Sequence, residues 1–407
     1  MTVADRWLLP DGIEEILPNQ AFRVESLRRQ VLDLYHSWGY DLVIPPLVEF
    51  TDSLLSGTGS DLDLMTFKVT DQLSGRMMGI RADMTPQTSR MDAHSLRRNG
   101  PSRLCYSGTV LYTKPRYPLA SRSPIQIGVE LYGEAGLDAD IEVISLMVET
   151  LRLAGLEKPQ LDLGHVGIYG NLLEEAELTK EQESELFDLL QSKSVPELNA
   201  WVTQNIQEQT IAEWILALVD LAGDESVLDR ARELFADAPA EIELALDELQ
   251  AVVDALKASS SDAELYLDLS ELRGYHYHTG VVFAAYAPGI GQAIGNGGRY
   301  DHVGEAFGRS RPATGFNMSL QALVQFSMDQ LGHNDESHLP RGIYAPVVEN
   351  IGADQQANQQ KVIAELRKRG ERVVCGFPGQ QPNYQELHCD RQLSLVDGEF
   401  QVTVVES

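Results

Sequence analysis

The chain has 407 residues, 61 of them acidic and 32 basic, and a formal net charge of −29 at neutral pH. Its length allows two or three domains, and 43% hydrophobic with 23% charged residues is typical of a globular protein with its own core. The excess of acid argues against nucleic-acid binding, because non-specific affinity for nucleic acid comes from Lys and Arg on phosphates.

The first third of the chain predicts helices and strands in alternation. Residues 19–38 place apolar side chains at helical spacing, and DLVIPPLVEF follows as a strand that stops at its proline pair. Two short strands, MTFKVTD and MMGIRADMT, precede a helix in PQTSRMDAHSL, with Pro86 at its start. RLCYSGTVLYT and PIQIGVELYG predict two longer strands, and a helix over residues 139–154 follows them.

The middle of the chain changes composition. Residues 171–262 are rich in Glu, Leu and Ala, with amphipathic runs such as EIELALDELQAVVDALKA that predict a helical insertion. Strand-like sequence then resumes, and a polar linker precedes a small α/β module. We therefore expect an α+β fold with a main domain over residues 1–325 and a C-terminal domain over residues 340–407.

The stretch over residues 271–301 carries a dense set of candidate binding groups. It reads ELRGYHYHTGVVFAAYAPGIGQAIGNGGRYD, and its pattern predicts a strand that ends in VVF and a glycine turn at IGNGG. Glycines beside Arg273 and several rings suggest a small ligand close to the backbone, with the guanidinium on a carboxylate or phosphate. The alternative is a hairpin whose glycines only serve turns.

Metal binding and disulfide bonding are both disfavoured by the residue pattern. His276 and His278 share a face of the predicted strand and could bind a metal, but no Cys, Asp or Glu lies at ligand spacing nearby. Cys105, Cys375 and Cys389 are odd in number and form no CxxC pair, which predicts free thiols in a reducing compartment. We expect no metal and no cofactor.

The hydropathy of the chain argues against membrane insertion. No 18 apolar residues run together, and the N-terminal stretch MTVADRWLLPDGIEEILP contains acids and no uninterrupted apolar core. The sequence therefore predicts a cytoplasmic protein that does not contact membranes.

Four segments together resemble the catalytic core of histidyl-tRNA synthetase, a class II aminoacyl-tRNA synthetase. They are IRADMTPQTSR, RLCYSGTVLYTKPRYPLASRSPIQIGVELYG, ELRGYHYHTGVVF and IGNGGRYD, and they occur in the order of that enzyme. GYDLVIPPLVE is similar to the first motif of the class, with Pro46 at its proline position. The resemblance spans roughly residues 5–325. It implies the antiparallel sheet of the class II fold, flanked by helices.

The chain departs from that enzyme at the motifs that hold ATP. The second motif has Phe-Arg-x-Glu where this chain has Leu111-Tyr112-Thr113-Lys114, and the third motif has an arginine where this chain has Ala322. Negative charge that develops during adenylation has to be met by fixed cations and metal ions. The adenylation reaction should therefore be lost.

The amino-acid half of the resembling site is largely retained. The resemblance implies a histidine-binding site made of Asp83, Thr85, Gln126, Glu130, Arg273, Tyr277 and His278. Asp83 and Thr85 stand where the synthetase holds the α-amino group, and Arg273 where it holds the carboxylate. Gln126 matches a glutamine of that enzyme and Glu130 the glutamate that recognises the ring, while Tyr277 and His278 stand at a tyrosine pair. Such groups complement a zwitterion.

For two of these residues, a purely structural role is an alternative to ligand binding. Asp83 precedes Met84, Thr85 and Pro86, a common helix start, so it could serve only as a helix cap. Glu130 stands alone in the apolar strand GVELYG. A lone buried carboxylate is unfavourable without a partner, which favours a functional role.

One family is similar in keeping this pocket and losing adenylation: the regulatory subunits of ATP phosphoribosyltransferase in histidine biosynthesis. The similarity covers nearly the whole chain, including LPDGIEEILP and RGYHYHTGVVFAAY. It implies a non-catalytic subunit in a hetero-oligomer, typically four plus four, with a short ATP phosphoribosyltransferase catalytic subunit. The chain would activate that partner, and L-histidine would act as the feedback effector. A stand-alone histidine sensor and a histidyl-tRNA synthetase stay open as alternatives.

Overall fold

The computed structural model describes residues 7–57, 60–117, 120–259, 262–272, 277–331, 341–348 and 351–405. The chain divides into two compact units, Met1–Leu331 and Gly332–Ser407. Each unit has its own sheet and its own cluster of buried apolar side chains.

The first unit is built on a large mixed sheet and a small second sheet. The strands of the two sheets are β1 (Asp41–Leu42), β2 (Val48–Phe50), β3 (Phe67–Thr70), β4 (Met77–Ile80), β5 (Ser102–Thr109), β6 (Ile125–Tyr132), β7 (Gln160–His165), β8 (Ala222–Gly223), β9 (Glu264–Asp268), β10 (Val281–Tyr286), β11 (Gly295–Arg299) and β12 (Ala313–Ser319). The main sheet has the order β1-β5-β6-β12-β11-β10-β7-β9-β8, and β2, β4 and β3 form a small second sheet. Pairing is antiparallel at every step from β5 to β7.

The helices of the first unit are α1 (Pro18–Ser37), α2 (Thr51–Leu54), α3 (Ser60–Met65), α4 (Thr85–Arg90), α5 (Leu137–Leu153), α6 (Val166–Ala176), α7 (Lys180–Ser192), α8 (Val195–Asn205), α9 (Gln209–Ala217), α10 (Ser226–Leu234), α11 (Ala240–Ala258) and α12 (Leu320–Leu331). A π-helical turn, Met91–Leu96, continues α4. Helices α6 to α11 follow one another between β7 and β9, and the short strand β8 lies among them. No helix in the described residues is both long and apolar enough to cross a lipid bilayer.

The two faces of the main sheet differ in chemistry because strand side chains alternate. Ile127, Val129 and Leu131 of β6 lie in the main apolar core with side chains of α1 and α5. Gln126 and Glu130 alternate with them and lie on the opposite face. The apolar face anchors the sheet to the helices, so the other face is left for the candidate site.

Two expectations about residues 271–301 are wrong. The strand begins only at Val281, and residues 277–280 lie outside any strand. The glycines of IGNGG form β11 rather than a turn. A Cβ on Gly297 would overlap the carbonyl oxygen of Gly315 and lie 2.5 Å from the ring of Phe283. These glycines therefore allow neighbouring strands and side chains to pack closely, and they do not form a turn.

The second unit is a small α/β module. It contains β13 (Gly342–Ala345), α13 (Ala353–Lys368), β14 (Val373–Cys375), β15 (Cys389–Val396) and β16 (Glu399–Val404). The sheet order is β14-β13-β15-β16, with β13 parallel to both of its neighbours. Asp397 and Gly398 have φ values of 48° and 85°, the left-handed conformation that a tight β15 to β16 hairpin needs.

The three cysteines are free thiols, as the sequence predicts. Cys105 and Cys389 are buried, and Cys375 is exposed. Burial raises the pKa of the Cys105 thiol to about 12, because the thiolate is disfavoured away from water. That thiol is therefore a protonated core side chain at neutral pH.

Candidate functional site

Glu130 lies at the centre of the polar face of the main sheet. Only 1% of the residue is exposed. Thr85 Oγ1 and Tyr106 Oη donate hydrogen bonds to its Oε1 at 2.7 and 2.9 Å, and Tyr300 Oη donates to its Oε2. Among the described residues, no cationic side chain bonds this carboxylate. Three hydroxyl groups therefore supply the hydrogen bonds of a buried acid that has no ion-pair partner among the described residues.

Burial raises the pKa of Glu130 from 4.5 to about 8, because removal from water disfavours the charged form. The hydrogen bonds from Tyr300 and Thr85 oppose this rise, and the nearby negative charge of Asp83 adds to it. Burial therefore favours the protonated form of Glu130 in the unliganded protein.

Asp83, Thr85 and Gln126 form a connected polar group beside Glu130. Asp83 Oδ1 accepts a hydrogen bond from Gln126 Nε2 at 3.0 Å and from the backbone amide of Met84 at 2.7 Å. The Met84 amide also donates to Gln126 Oε1 at 3.0 Å. Asp83 is not the cap of α4, because Met84 is the N-cap residue and it has no side-chain cap hydrogen bond. The Asp83 carboxylate accepts from the amides of Met84 and Thr85 and holds the amide of Gln126.

Glycines on neighbouring strands leave room for these side chains. A Cβ on Gly315 of β12 would overlap Oε2 of Glu130, and a Cβ on Gly128 of β6 would lie 2.7 Å from the hydroxyl of Tyr106. Both separations are shorter than van der Waals contact, so neither glycine can be replaced without movement of Glu130 or Tyr106.

We expect Gly315→Ala to destabilise the protein by about 1–3 kcal/mol, the usual range for overpacking a filled site. Glu130 has to move to admit the methyl group, so its hydroxyl partners lose their geometry. Urea unfolding would measure the loss. Gly291→Ala is the control, because nothing lies within 4 Å of a Cβ there. Equal stability of the two variants would contradict this packing.

Tyr277 and His278 lie beside the polar group. Tyr277 stacks on Tyr300 with ring centroids 5.1 Å apart and meets the His278 ring edge to face at 5.3 Å. Burial raises the pKa of Tyr277 well above its ordinary value, and the charges of Glu130 and Asp83 add to the rise. Its hydroxyl is buried without a hydrogen-bond partner among the described residues. A ligand could supply that partner.

Arg273 and His276 lie outside the described residues. Of the seven residues that the resemblance assigns to the site, the structure therefore places six. Asp83, Thr85, Gln126 and Glu130 form one hydrogen-bonded group, and Tyr277 and His278 form the adjoining pair of rings. The described residues contain no group of three or more His, Cys, Asp or Glu placed to hold a metal ion.

Uncharged side chains occupy the positions where the synthetase motifs place ATP-binding arginines. Tyr112 is 5% exposed and packs in a cluster with Ala82, Met84, Tyr106 and Val110. Ala322 of α12 packs against the main core. The guanidinium of Arg116 lies over the ring of Tyr112 at 4.6 Å, and Arg116 is exposed. At the two motif positions themselves, Tyr112 and Ala322 offer no positive charge to a phosphate.

Family comparisons divide the chain into the same two parts. A family model described as histidyl-tRNA synthetase matches residues 12–323, and one described as the ATP phosphoribosyltransferase subunit HisZ C-terminal domain matches residues 340–403. The chain is 56% identical over 406 residues to the ATP phosphoribosyltransferase regulatory subunit of Saccharophagus degradans, with all of both chains covered. It is 54% identical over 403 residues to that of Teredinibacter turnerae, with 99% of each covered. The chain belongs to the ATP phosphoribosyltransferase regulatory subunit family.

Solved structures share the fold of this family member. A protein from Bacillus halodurans described as an ATP phosphoribosyltransferase regulatory subunit/histidyl-tRNA synthetase superposes with a TM-score of 0.81 at 26% identity, over 93% of this chain and 95% of that one. Histidyl-tRNA synthetase from Nostoc superposes with a TM-score of 0.77 at 17% identity, over 98% of this chain and 97% of that one. The predicted class II synthetase-like fold is confirmed.

Sequence reasoning missed two site residues of this regulatory-subunit family member. Tyr106 and Tyr300 both donate to Glu130, and neither is among the predicted site residues. Tyr106 pairs with Gly128, two residues from Glu130 on the same face. The period-two alternation of β5 and β6 places Tyr106 on the face of Glu130 only once the register of the two strands is known. No comparable local signal exists for Tyr300.

Proposed function

We propose that the protein is a non-catalytic subunit that binds L-histidine around Glu130 and activates a short-form ATP phosphoribosyltransferase catalytic subunit. Histidine bound in this pocket lowers phosphoribosyl transfer, and the pocket thereby mediates feedback in the first step of histidine biosynthesis. The assembly is a cytoplasmic hetero-octamer of four subunits of each kind. The observation that supports the proposal is the hydrogen-bonded group of Asp83, Thr85, Gln126 and Glu130, which lies at the positions of the synthetase's amino-acid site, while Tyr112 and Ala322 stand where that enzyme has phosphate-binding arginines.

The described groups are complementary to an amino acid with a polar ring. The carboxylate of Asp83, the hydroxyl of Thr85 and the amide oxygen of Gln126 are acceptors suited to an ammonium group. The protonated carboxyl of Glu130 can donate to one nitrogen of a neutral imidazole, and the buried hydroxyl of Tyr277 offers a further hydrogen bond. The ligand carboxylate is assigned to Arg273 on resemblance alone.

Isolated protein should bind L-histidine, and Arg273→Ala should weaken binding by about 2 kcal/mol, the contribution of a charge-assisted bidentate hydrogen bond. Calorimetry would measure the affinity. Arg98→Ala is a matched control, because Arg98 is an exposed arginine paired with Asp41. Equal histidine affinity in Arg273→Ala and the wild-type protein would place the ligand carboxylate elsewhere.

The isolated protein should show no adenylating activity. Each missing arginine removes a charge-stabilising group that typically contributes about 3 kcal/mol to the transition state, so the two losses together amount to several orders of magnitude in rate. Pyrophosphate exchange that depends on both histidine and ATP would measure it. Exchange above background would contradict the assignment and favour a synthetase.

A further inference from the structure

The turn that leads out of β9 comes directly before Arg273 in the chain. Asp268 ends β9, and its Oδ1 accepts hydrogen bonds from the amide and the hydroxyl of Ser270 at 3.0 and 2.7 Å. Leu272 is then 1% exposed and lies in the main apolar core. Because Arg273 follows Leu272 without a break, the position of this turn sets where the chain enters residues 273–276.

The helices between β7 and β9 hold this turn through their backbone and through a lysine. The Leu269 amide donates to the carbonyl oxygen of Leu221 at 3.0 Å, and β8 pairs with the end of β9. Lys193 Nζ, at the end of α7, donates to Asp268 Oδ2 at 2.6 Å. One carboxylate oxygen of Asp268 thus bonds its own turn, and the other bonds a helix end that lies 75 positions earlier in the chain.

Lys193 ends α7 in a backbone conformation that favours glycine. Its φ is 48° and its ψ is 35°, in the left-handed region. Glycine adopts this region without a steric penalty, whereas a residue with a Cβ is disfavoured there. The end of α7 by itself would therefore be formed better by glycine. What the lysine adds is its side chain, which is half-exposed and forms the ion pair with the buried Asp268 carboxylate.

The other end of residues 273–276 is fixed in the candidate site. Tyr277 stacks on Tyr300, and the Thr279 amide donates to the carbonyl oxygen of Arg299 at 2.8 Å. These contacts are to β11 and to the residue after it, so the sheet holds this end. A shift of the turn after β9 would therefore be taken up within residues 273–276.

We propose that Lys193 is a positioning residue for ligand binding, which holds the turn after β9 so that Arg273 meets the carboxylate of an amino acid in the Glu130 pocket. The inference rests on the proposed function and adds that the helices between β7 and β9 contribute to that site. Lys193 has no contact with the ligand in this scheme. It acts through Asp268 and the short chain that joins Asp268 to Arg273.

A double-mutant cycle on the full-length protein tests this role. Lys193→Met keeps the length of the side chain and loses its charge, so it should weaken L-histidine binding in calorimetry by about threefold to tenfold. In the Arg273→Ala background the same change should cost less than about twofold, because the group that Lys193 positions is gone. Lys193→Arg keeps the charge and should restore binding. A residue that only supports the fold would give equal losses in the two backgrounds.

Two further variants separate this role from a folding defect. Lys193→Gly removes the ion pair and suits the left-handed end of α7, so the fold should tolerate it while histidine affinity falls as in Lys193→Met. Lys257→Met breaks the pair of another half-exposed lysine with Glu225 and should leave histidine affinity unchanged.

The outcomes distinguish the inference from the proposed function. Wild-type histidine affinity in Lys193→Met or Lys193→Gly, or equal losses in the two backgrounds of the cycle, would overturn the inference alone. No binding of histidine to the wild-type protein would overturn the proposed function and the inference with it.

Discussion

Mixing this protein with a short-form ATP phosphoribosyltransferase catalytic subunit is expected to raise phosphoribosyl transfer, and L-histidine is expected to reverse the gain. If histidine binds more tightly to the inhibited state of the complex, linkage requires that state to gain population as histidine rises. A coupling of about 1–3 kcal/mol corresponds to a change of roughly 5- to 150-fold. Steady-state turnover over a histidine titration, with and without this protein, measures both effects.

Glu130→Ala should separate activation from feedback. Glu130 is buried beneath the surface, so its loss leaves any partner-binding surface unchanged and activation should persist. Thr85, Tyr106 and Tyr300 lose their shared acceptor. Under the proposed function, histidine also loses its ring contact, so feedback should weaken. Glu243→Ala on the exposed face of α11 is the control and should retain both effects. Unchanged turnover on mixing, at concentrations where the two proteins associate, would favour a stand-alone histidine sensor.

Local patterns in the sequence predict a large part of this structure. The alternation of GVELYG predicts that Glu130 lies alone on one side of a buried strand, because period two separates it from Val129 and Leu131. The Glu, Leu and Ala composition predicts the helical insertion, because an amphipathic stripe has to be buried. Both depend on residues close together in the chain, where periodicity carries the information.

Contacts that depend on register could not be predicted in the same way. Tyr300 donates to a carboxylate 170 positions away, and only the pairing of β6 with β12 and of β12 with β11 brings the two together. The two buried arginines are a similar case. Arg299 pairs with Asp140 at 2.6 Å and Arg311 with Asp92 at 2.9 Å, so both are committed to holding the fold. From the sequence alone, either could pass for a ligand-binding cation.

Because of Glu130, the free energy of unfolding of the unliganded protein should fall as the pH rises from 4.5 to about 8. Its pKa is about 8 in the folded protein and near its ordinary value of 4.5 in the unfolded chain. Between those values the folded protein holds a proton that the unfolded chain has released. The stabilising contribution is therefore complete below pH 4.5 and is lost as the pH passes through about 8. One such proton changes the free energy of unfolding by about 1.4 kcal/mol per pH unit.

Glu130→Gln is expected to remove this pH dependence, because glutamine has the shape of the protonated acid and cannot ionise. Urea unfolding near pH 5.5 and pH 7.5 should show the wild-type protein losing about 2–3 kcal/mol more than the variant over that interval. All other carboxyl groups are common to the two proteins, so the difference between the two slopes belongs to Glu130. Parallel slopes would mean that Glu130 is already ionised at neutral pH. In that case the three hydroxyls would hold a carboxylate, and the pocket would present a fixed negative charge to the imidazole ring instead of a proton.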